Sequence, residues 1–162
     1  MNTTILLVDD HTSVRHSLRQ LLEAQPDIEV IGEADNGHQA VLRATQLDPD
    51  VVIMDISMPG PDGIDATHQV LQQCPNTQII ILSMLASVEH VLRALQVGAL
   101  GYLLKESTGF EIVAAIRAVR SGHHYISQKL SDEKVWTLVR QDGGPILQRQ
   151  PTPGLTNASA VT

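Results

Sequence analysis

Residues 51–63 read Val51-Val52-Ile53-Met54-Asp55-Ile56-Ser57-Met58-Pro59-Gly60-Pro61-Asp62-Gly63. Four consecutive apolar residues suit a strand buried on both faces, and the Pro/Gly-rich stretch beyond them opens it into a loop. Asp55 stands at that junction, so its carboxylate is backed by core yet open to a ligand. The arrangement recurs along the chain. Asp9-Asp10 end the first apolar run, Ser83 ends Ile79-Ile80-Ile81-Leu82, and Lys105 ends Leu100-Gly101-Tyr102-Leu103-Leu104.

Working outward, apolar runs begin near Ile5, Ile28, Val51, Ile79 and Leu100. Stretches of helical period separate them, with stripes Val14/Leu18/Leu21/Leu22, Ala40/Val41/Ala44/Leu47, Ile64/Thr67/Leu71/Cys74, Val88/Val91/Leu92/Leu95 and Ile112/Val113/Ile116/Val119. Pro26, Pro49, Pro75, Gly98 and Gly122 break the chain between elements. Strand and helix in regular alternation predict an α/β domain with a parallel sheet. The second run differs, because Ile28, Val30, Gly32 and Ala34 alternate with Glu29, Ile31 and Glu33, the pattern of a half-exposed edge strand. With that strand at the edge and right-handed crossovers, the order becomes 2-1-3-4-5, and the switch point lies between strands one and three. Asp9, Asp10 and Asp55 fall at its carboxyl end.

Composition narrows the setting. The 162 residues suit about one domain, and 43% hydrophobic content supports one packed core. A net charge of −7 with no basic stripe argues against this chain itself gripping a polyanion. The apolar runs are much shorter than the ~20 residues of a membrane span, and the start Met-Asn-Thr-Thr lacks a signal pattern. A cytoplasmic location is expected, with no membrane contact. The single cysteine, Cys74, extends a helical stripe and is expected to be a buried structural thiol.

Three carboxylates packed together repel one another, and a hard divalent cation removes the conflict. Magnesium suits them, since it favours carboxylate oxygens and commonly bridges protein to phosphate. Lys105 offers a point charge for a phosphate oxygen and Ser83 a hydroxyl donor. With one carboxylate left as nucleophile, the set describes phosphoryl transfer to give an aspartyl phosphate. Such a group adds about two negative charges and three acceptor oxygens. Its contacts to Ser83 and Lys105, at roughly 1 to 3 kcal/mol each, are enough to shift a balance between two conformations.

The chain resembles response-regulator receiver domains from about Thr3 to Gly122. The matching residues are Asp9-Asp10, Met54-Asp55, Met58-Pro59-Gly60, Asp62-Gly63, Ser83 and Gly101-Tyr102-Leu103-Leu104-Lys105. The resemblance implies a flavodoxin-like (βα)5 fold in which Asp55 accepts a phosphoryl group from a sensor histidine kinase. It further implies that Asp10 binds Mg2+ directly and Asp9 through water, with Asp55 and the Ser57 backbone carbonyl completing the ligands. Ser83 and Lys105 would hold the phosphoryl oxygens, Tyr102 would follow Ser83, and the surface of the fourth helix, fifth strand and fifth helix would move.

Blander readings apply to the neighbours. His11 is expected to be a loop residue, since an oxygen-rich site selects hard cations. His123-His124 are expected to be an exposed loop pair. Where many receivers carry a cis proline after the lysine, this chain has Glu106, and a trans bond is expected because a non-proline cis bond costs about 2.5 to 4 kcal/mol. Pro61 replaces a common Met or Leu and should stiffen the loop.

Beyond the receiver, residues 1–122, the reading gives a linker at 123–144 with a short helix capped by Ser131 and running through Trp136, then a disordered tail at 145–162. Gly101–Lys105 and Tyr125-Ile126-Ser127 resemble the NarL/FixJ subfamily, and Leu155-Thr156 resembles the first residues of its LuxR-type helix-turn-helix. Transcription control through a DNA-binding output domain that starts there is expected, the sequence being cut short before that domain. Phosphorylation-sensitive homodimerisation is expected through helices one and five or the helix-four to helix-five face. A stand-alone phosphate shuttle or interaction module shares the chemistry. A haloacid-dehalogenase-type phosphatase does not fit, because its Asp-x-Asp pattern is absent from Asp9-Asp10-His11.

Overall fold

The computed structural model describes residues 2–130 and 136–137. Its elements run β1 (Thr3–Val8), α1 (Thr12–Glu23), β2 (Ile28–Ala34), α2 (Gly37–Leu47), β3 (Val51–Asp55), α3 (Gly63–Gln73), β4 (Gln78–Ser83), α4 (Val88–Gln96), β5 (Gly101–Leu104), α5 (Gly109–Arg120) and β6 (Tyr125–Ile126). The sheet is parallel in the order β2-β1-β3-β4-β5-β6. The expected order 2-1-3-4-5 is present, with a sixth short strand where a linker was expected.

The apolar runs become strands because both faces are covered. One face packs Leu6, Val8, Val52, Met54, Ile79 and Ile81 against α2, α3 and α4. The other packs Ile5, Leu7, Ile53, Ile80 and Leu82 against α1 and α5. Odd and even residues of one strand thus belong to different layers, as the pleat requires. Truncating a fully buried member such as Ile80 to Ala would cost about 2–5 kcal/mol.

Caps begin the helices. Asn36 Oδ1 accepts from the Gln39 amide at 2.8 Å, and Asp62 Oδ1 accepts from the Ile64 and Asp65 amides at 3.0 and 2.9 Å. Cys74 is buried at the end of α3, its thiol 3.5 Å from the Ala44 carbonyl.

Strand β2 departs from simple alternation. Ile5 pairs with Val30 but Leu6 pairs with Gly32, so Ile31 is an extra residue and the ladder shifts there. Such a bulge re-aims the side chains beyond it. Ile28 and Val30 pack on the α1/α5 side, whereas Ala34 packs on the α2/α3/α4 side.

One expectation near the chain's end is corrected. His124 is buried rather than exposed, its ring meeting Trp136 edge-on at a centroid distance of 6.1 Å. The cause is β6: Tyr125 N donates to the Leu100 carbonyl and Ser127 N to the Tyr102 carbonyl, which draws this segment onto the sheet. The linker helix expected from Ser131 lies outside the described residues except at Trp136 and Thr137, and the tail lies outside them entirely. No helix among the described residues is long and apolar enough to cross a membrane.

Candidate functional site

The carboxyl ends of β1, β3, β4 and β5 converge. β1 pairs with β3 through Val8↔Met54, so Asp9 and Asp55 emerge side by side. β3 pairs with β4 through Asp55↔Leu82, and β4 with β5 through Ser83↔Leu104, which sets Ser83 and Lys105 beyond the same edge. Two glycines shape the loop after Asp55. A Cβ on Gly63 would lie 2.2 Å from the Asp55 carbonyl oxygen, and one on Gly37 would lie 2.5 Å from the Pro61 carbonyl oxygen. The loop is thereby folded back on the strand end and seated on the start of α2.

Lys105 Nζ bridges two carboxylates, 3.0 Å from Asp9 Oδ2 and 3.4 Å from Asp55 Oδ1. Asp9 and Asp55 are each 2% exposed. The Ser57 amide donates to Asp55 Oδ1 at 3.2 Å. Burial pushes the Asp55 carboxyl above the usual carboxylate range; the Ser57 amide opposes this, Asp9 adds to it and Lys105 offsets part. Burial alone would lower the Lys105 ammonium, but Asp9 and Asp55 outweigh it and hold the group above its usual value. The Lys105–Glu106 peptide is trans, as expected.

The oxygens left over are informative. Asp55 Oδ2 and Asp10 Oδ1 are buried without a hydrogen bond, and Asp9 Oδ2 meets the Lys105 ammonium without a hydrogen bond of normal geometry. One ligand atom from each of Asp9, Asp10, His11 and Asp55 lies within 4.8 Å of the others. Buried polar oxygens normally find partners. A set of hard oxygens that has not done so fits a hard divalent cation. His11 stands closer than the loop reading implied, with Nδ1 3.0 Å from both Asp9 Oδ1 and Asp10 Oδ1, while its amide donates to Asp9 Oδ1 at 2.8 Å.

Ser83 and Tyr102 grip one residue from two sides. Ser83 Oγ accepts from the Leu85 amide at 2.9 Å, and the Tyr102 hydroxyl donates to the Leu85 carbonyl at 2.7 Å. Both side chains are fully buried, whereas Met84 between them is 81% exposed. The start of α4 is therefore tied to the site through one peptide on each side of Leu85.

Sequence reasoning missed Arg15, Arg19 and Glu33. Arg15 Nη1 donates to the Asp9 carbonyl at 2.5 Å, and Arg15 Nε and Arg19 Nε donate to Glu33 Oε1 and Oε2, each at 2.8 Å. The (i, i+4) spacing of Arg15 and Arg19 could have signalled a shared partner.

Similarity to known proteins extends over most of the chain. Residues 5–117 match the family described as response regulator receiver domain. The transcriptional regulatory protein LiaR of Bacillus subtilis is 45% identical over 139 residues, covering 86% of this chain and 65% of that protein. The nitrate/nitrite response regulator NarL of Escherichia coli K12 is 37% identical over 128 residues, covering 79% of this chain and 59% of NarL. This chain thus spans less than two thirds of either. A crystal structure of a LuxR-family two-component response regulator from Aurantimonas superposes with a TM-score of 0.80 at 35% identity, covering 86% of this chain and 99% of that one.

Proposed function

The chain belongs to the response regulator receiver domain family, and on that premise we propose that Asp55 accepts a phosphoryl group from the phosphohistidine of a sensor histidine kinase. An Asp55 carboxylate oxygen attacks phosphorus, so that an O–P bond forms as the P–N bond breaks. The electron pair leaves with the donor imidazole, which takes up a proton. The observation that carries this reading is Asp55 Oδ2, a buried carboxylate oxygen without a hydrogen bond at the open end of the sheet. Asp9, Asp10, Asp55 and the Ser57 backbone carbonyl would hold Mg2+, which when bound neutralises charge on the phosphoryl oxygens.

The chain's own residues do the rest. Lys105, 3.4 Å from Asp55, provides a fixed positive charge for a phosphoryl oxygen as charge builds on it. Ser83 Oγ accepts from the Leu85 amide, and its hydroxyl lies against that of Tyr102. Donation from Ser83 to a phosphoryl oxygen changes its demand on Leu85, and Tyr102, which holds the other side of Leu85, responds. The switch is a small rearrangement biased by charge, and it reaches α4 and β5.

The chemistry is self-limited: the protein catalyses its own phosphorylation and dephosphorylation and turns over no separate substrate. Residues 1–122 form the receiver unit and the segment beyond links it to an output domain that binds DNA and controls transcription. The relatives' printed roles as transcriptional regulators support that extension. A groove between α1 and α5, lined by Val14, Leu18, Leu21 and Ile112 and ending at Lys105, supports docking of the kinase there. Phosphorylation would also promote homodimerisation.

Incubation with acetyl phosphate and Mg2+, read by intact mass, tests the reading. One phosphoryl adduct is expected, absent without Mg2+ and absent in Asp55→Ala. An adduct that survives in folded Asp55→Ala would refute it.

A further inference from the structure

The bulge at Ile31 has a chemical use. Before it, the even residues Ile28 and Val30 face α1 and α5; beyond it the phase reverses, and the odd residue Glu33 faces α1 instead. There Glu33 takes a guanidinium on each oxygen, from Arg15 and from Arg19. Arg19 also pairs with Glu23 at 3.2 Å. Arg15 uses a second nitrogen, Nη1, to reach the Asp9 carbonyl on its other side.

We infer that Arg15, held by Glu33, is a positioning residue that fixes the Asp9–Asp10 peptide and so aims the Asp10 carboxylate at a divalent cation. The inference rests on the reading of the acidic cluster as a cation site. Asp9 lies one residue past the end of β1. Its amide still donates to the Ala34 carbonyl at 3.1 Å, which fixes the peptide before it. The Asp9 carbonyl accepts from Arg15, and the orientation of that peptide decides where Asp10 begins. Asp10 Oδ1 makes no hydrogen bond; its polar neighbour, His11 Nδ1 at 3.0 Å, belongs to the next residue of the same loop, so the direction of the carboxylate follows from how the backbone there is held.

The guanidinium suits this task because it is planar and donates from two edges in fixed directions, which an ammonium cannot do. Arg15 is only 14% exposed at its side chain, so packing restrains it as well. Glu33 is drawn below the usual carboxylate range: burial raises it, but Arg15 and Arg19 outweigh burial. It therefore remains charged at neutral pH and keeps its hold on Arg15. Groups behind metal ligands commonly change metal affinity by about 10–100-fold when removed.

Charge alone makes the opposite prediction. Arg15 brings positive charge near a cation site, so if it acted only through its field, removing it would tighten Mg2+ binding. Calorimetric titration of the full chain with Mg2+, alongside a thermal melt, separates the cases. Arg15→Lys, which keeps the charge but loses the two-edged grip, is expected to weaken binding by about 10-fold or more, as is Arg15→Ala. Glu33→Gln should weaken it less, and not further in an Arg15→Ala background. Arg19→Ala, which leaves the Asp9 contact in place, should change affinity by less than about two-fold, since a rim contact contributes little.

The phosphorylation rate of Arg15→Lys should fall at low Mg2+ and recover at saturating Mg2+, which a loss of folding would not mimic. Wild-type binding with unchanged affinity in folded Arg15→Lys would overturn the inference and leave the cation reading intact. Tighter binding in Arg15→Ala would overturn it in favour of a field effect. No Mg2+ binding by wild type would remove the cation reading and this inference with it.

Discussion

Asp50 and Asp55 stand five residues apart at opposite ends of β3, and their surroundings differ in kind. Asp50 Oδ2 accepts from the Thr4 amide at 2.9 Å and the Thr4 hydroxyl at 3.1 Å, and the Thr4 hydroxyl in turn accepts from the Asp50 amide. Arg120 adds a weaker ionic contact at 3.6 Å. Asp55 is more deeply buried, yet one of its oxygens has no hydrogen bond and the other has a 3.2 Å amide and a 3.4 Å ammonium. The amino end of the sheet spends its carboxylate on holding β1 and β3 together. The carboxyl end leaves oxygens in reserve, and burial without full satisfaction is costly enough to point to function.

The sharpest way to break this contrast is Asp55→Asn. It should abolish the phosphoryl adduct, while the melting midpoint stays at or above that of wild type because a charge disfavoured by burial has gone. A clear loss of stability would place Asp55 among the structural carboxylates.

Lys105→Met should come next. It leaves Asp9 and Asp55 facing each other without their ammonium, so phosphoryl uptake should fall by about 10²–10³-fold, as for loss of one preorganised electrostatic contact. Stability should fall by about 1–3 kcal/mol, below the range for a fully buried pair because Lys105 is partly exposed. Mg2+ should restore part of that stability, which denaturant titration with and without the ion would reveal.

Asp50→Ala turns the comparison round. Leaving the Thr4 amide and hydroxyl without their acceptor should cost about 1–3 kcal/mol in chemical denaturation, with the extent of phosphorylation unchanged. A phosphorylation defect in the folded variant would mean that the two ends of β3 are not independent.

Glu111 supplies a smaller test of the same contrast. Like Asp50 it is well served, accepting from the Gln128 amide at 2.8 Å and the Tyr125 hydroxyl at 3.3 Å. Burial, then the Glu111 charge, pushes the Tyr125 hydroxyl up to about 12. A tyrosine ordinarily ionises near 10, so the folded protein holds this proton over a range where the unfolded chain has released it. Tyr125 therefore leaves stability intact below about pH 10 and diminishes it as pH rises towards about 12. Ultraviolet titration of tyrosinate should show Glu111→Gln lowering the Tyr125 transition.

What the sequence disclosed follows from the same physics. Asp9, Asp10, Asp55, Ser83 and Lys105 were legible because each ends an apolar run, and parallel strands align their carboxyl ends. β2 was legible as an edge from its alternation, but the bulge at Ile31 was not, since one extra residue leaves a seven-residue pattern nearly unchanged. β6 is two residues long, too short to show a strand period, and it forms only because β5 offers a free edge. The burial of His124 followed from that pairing and was lost with it. Arg15 and Glu33 are ordinary charged residues in sequence, and only the fold brings them behind Asp9.

The central claim is that the phosphoryl group arrives at the carboxyl end of β3. Its most direct test is to phosphorylate the full chain with acetyl phosphate and Mg2+, reduce it with borohydride to turn aspartyl phosphate into homoserine, and sequence the peptides by tandem mass spectrometry. Homoserine at position 55 alone is the predicted result. Homoserine at position 9, 10 or 50, or none in protein that carries the adduct, would contradict it.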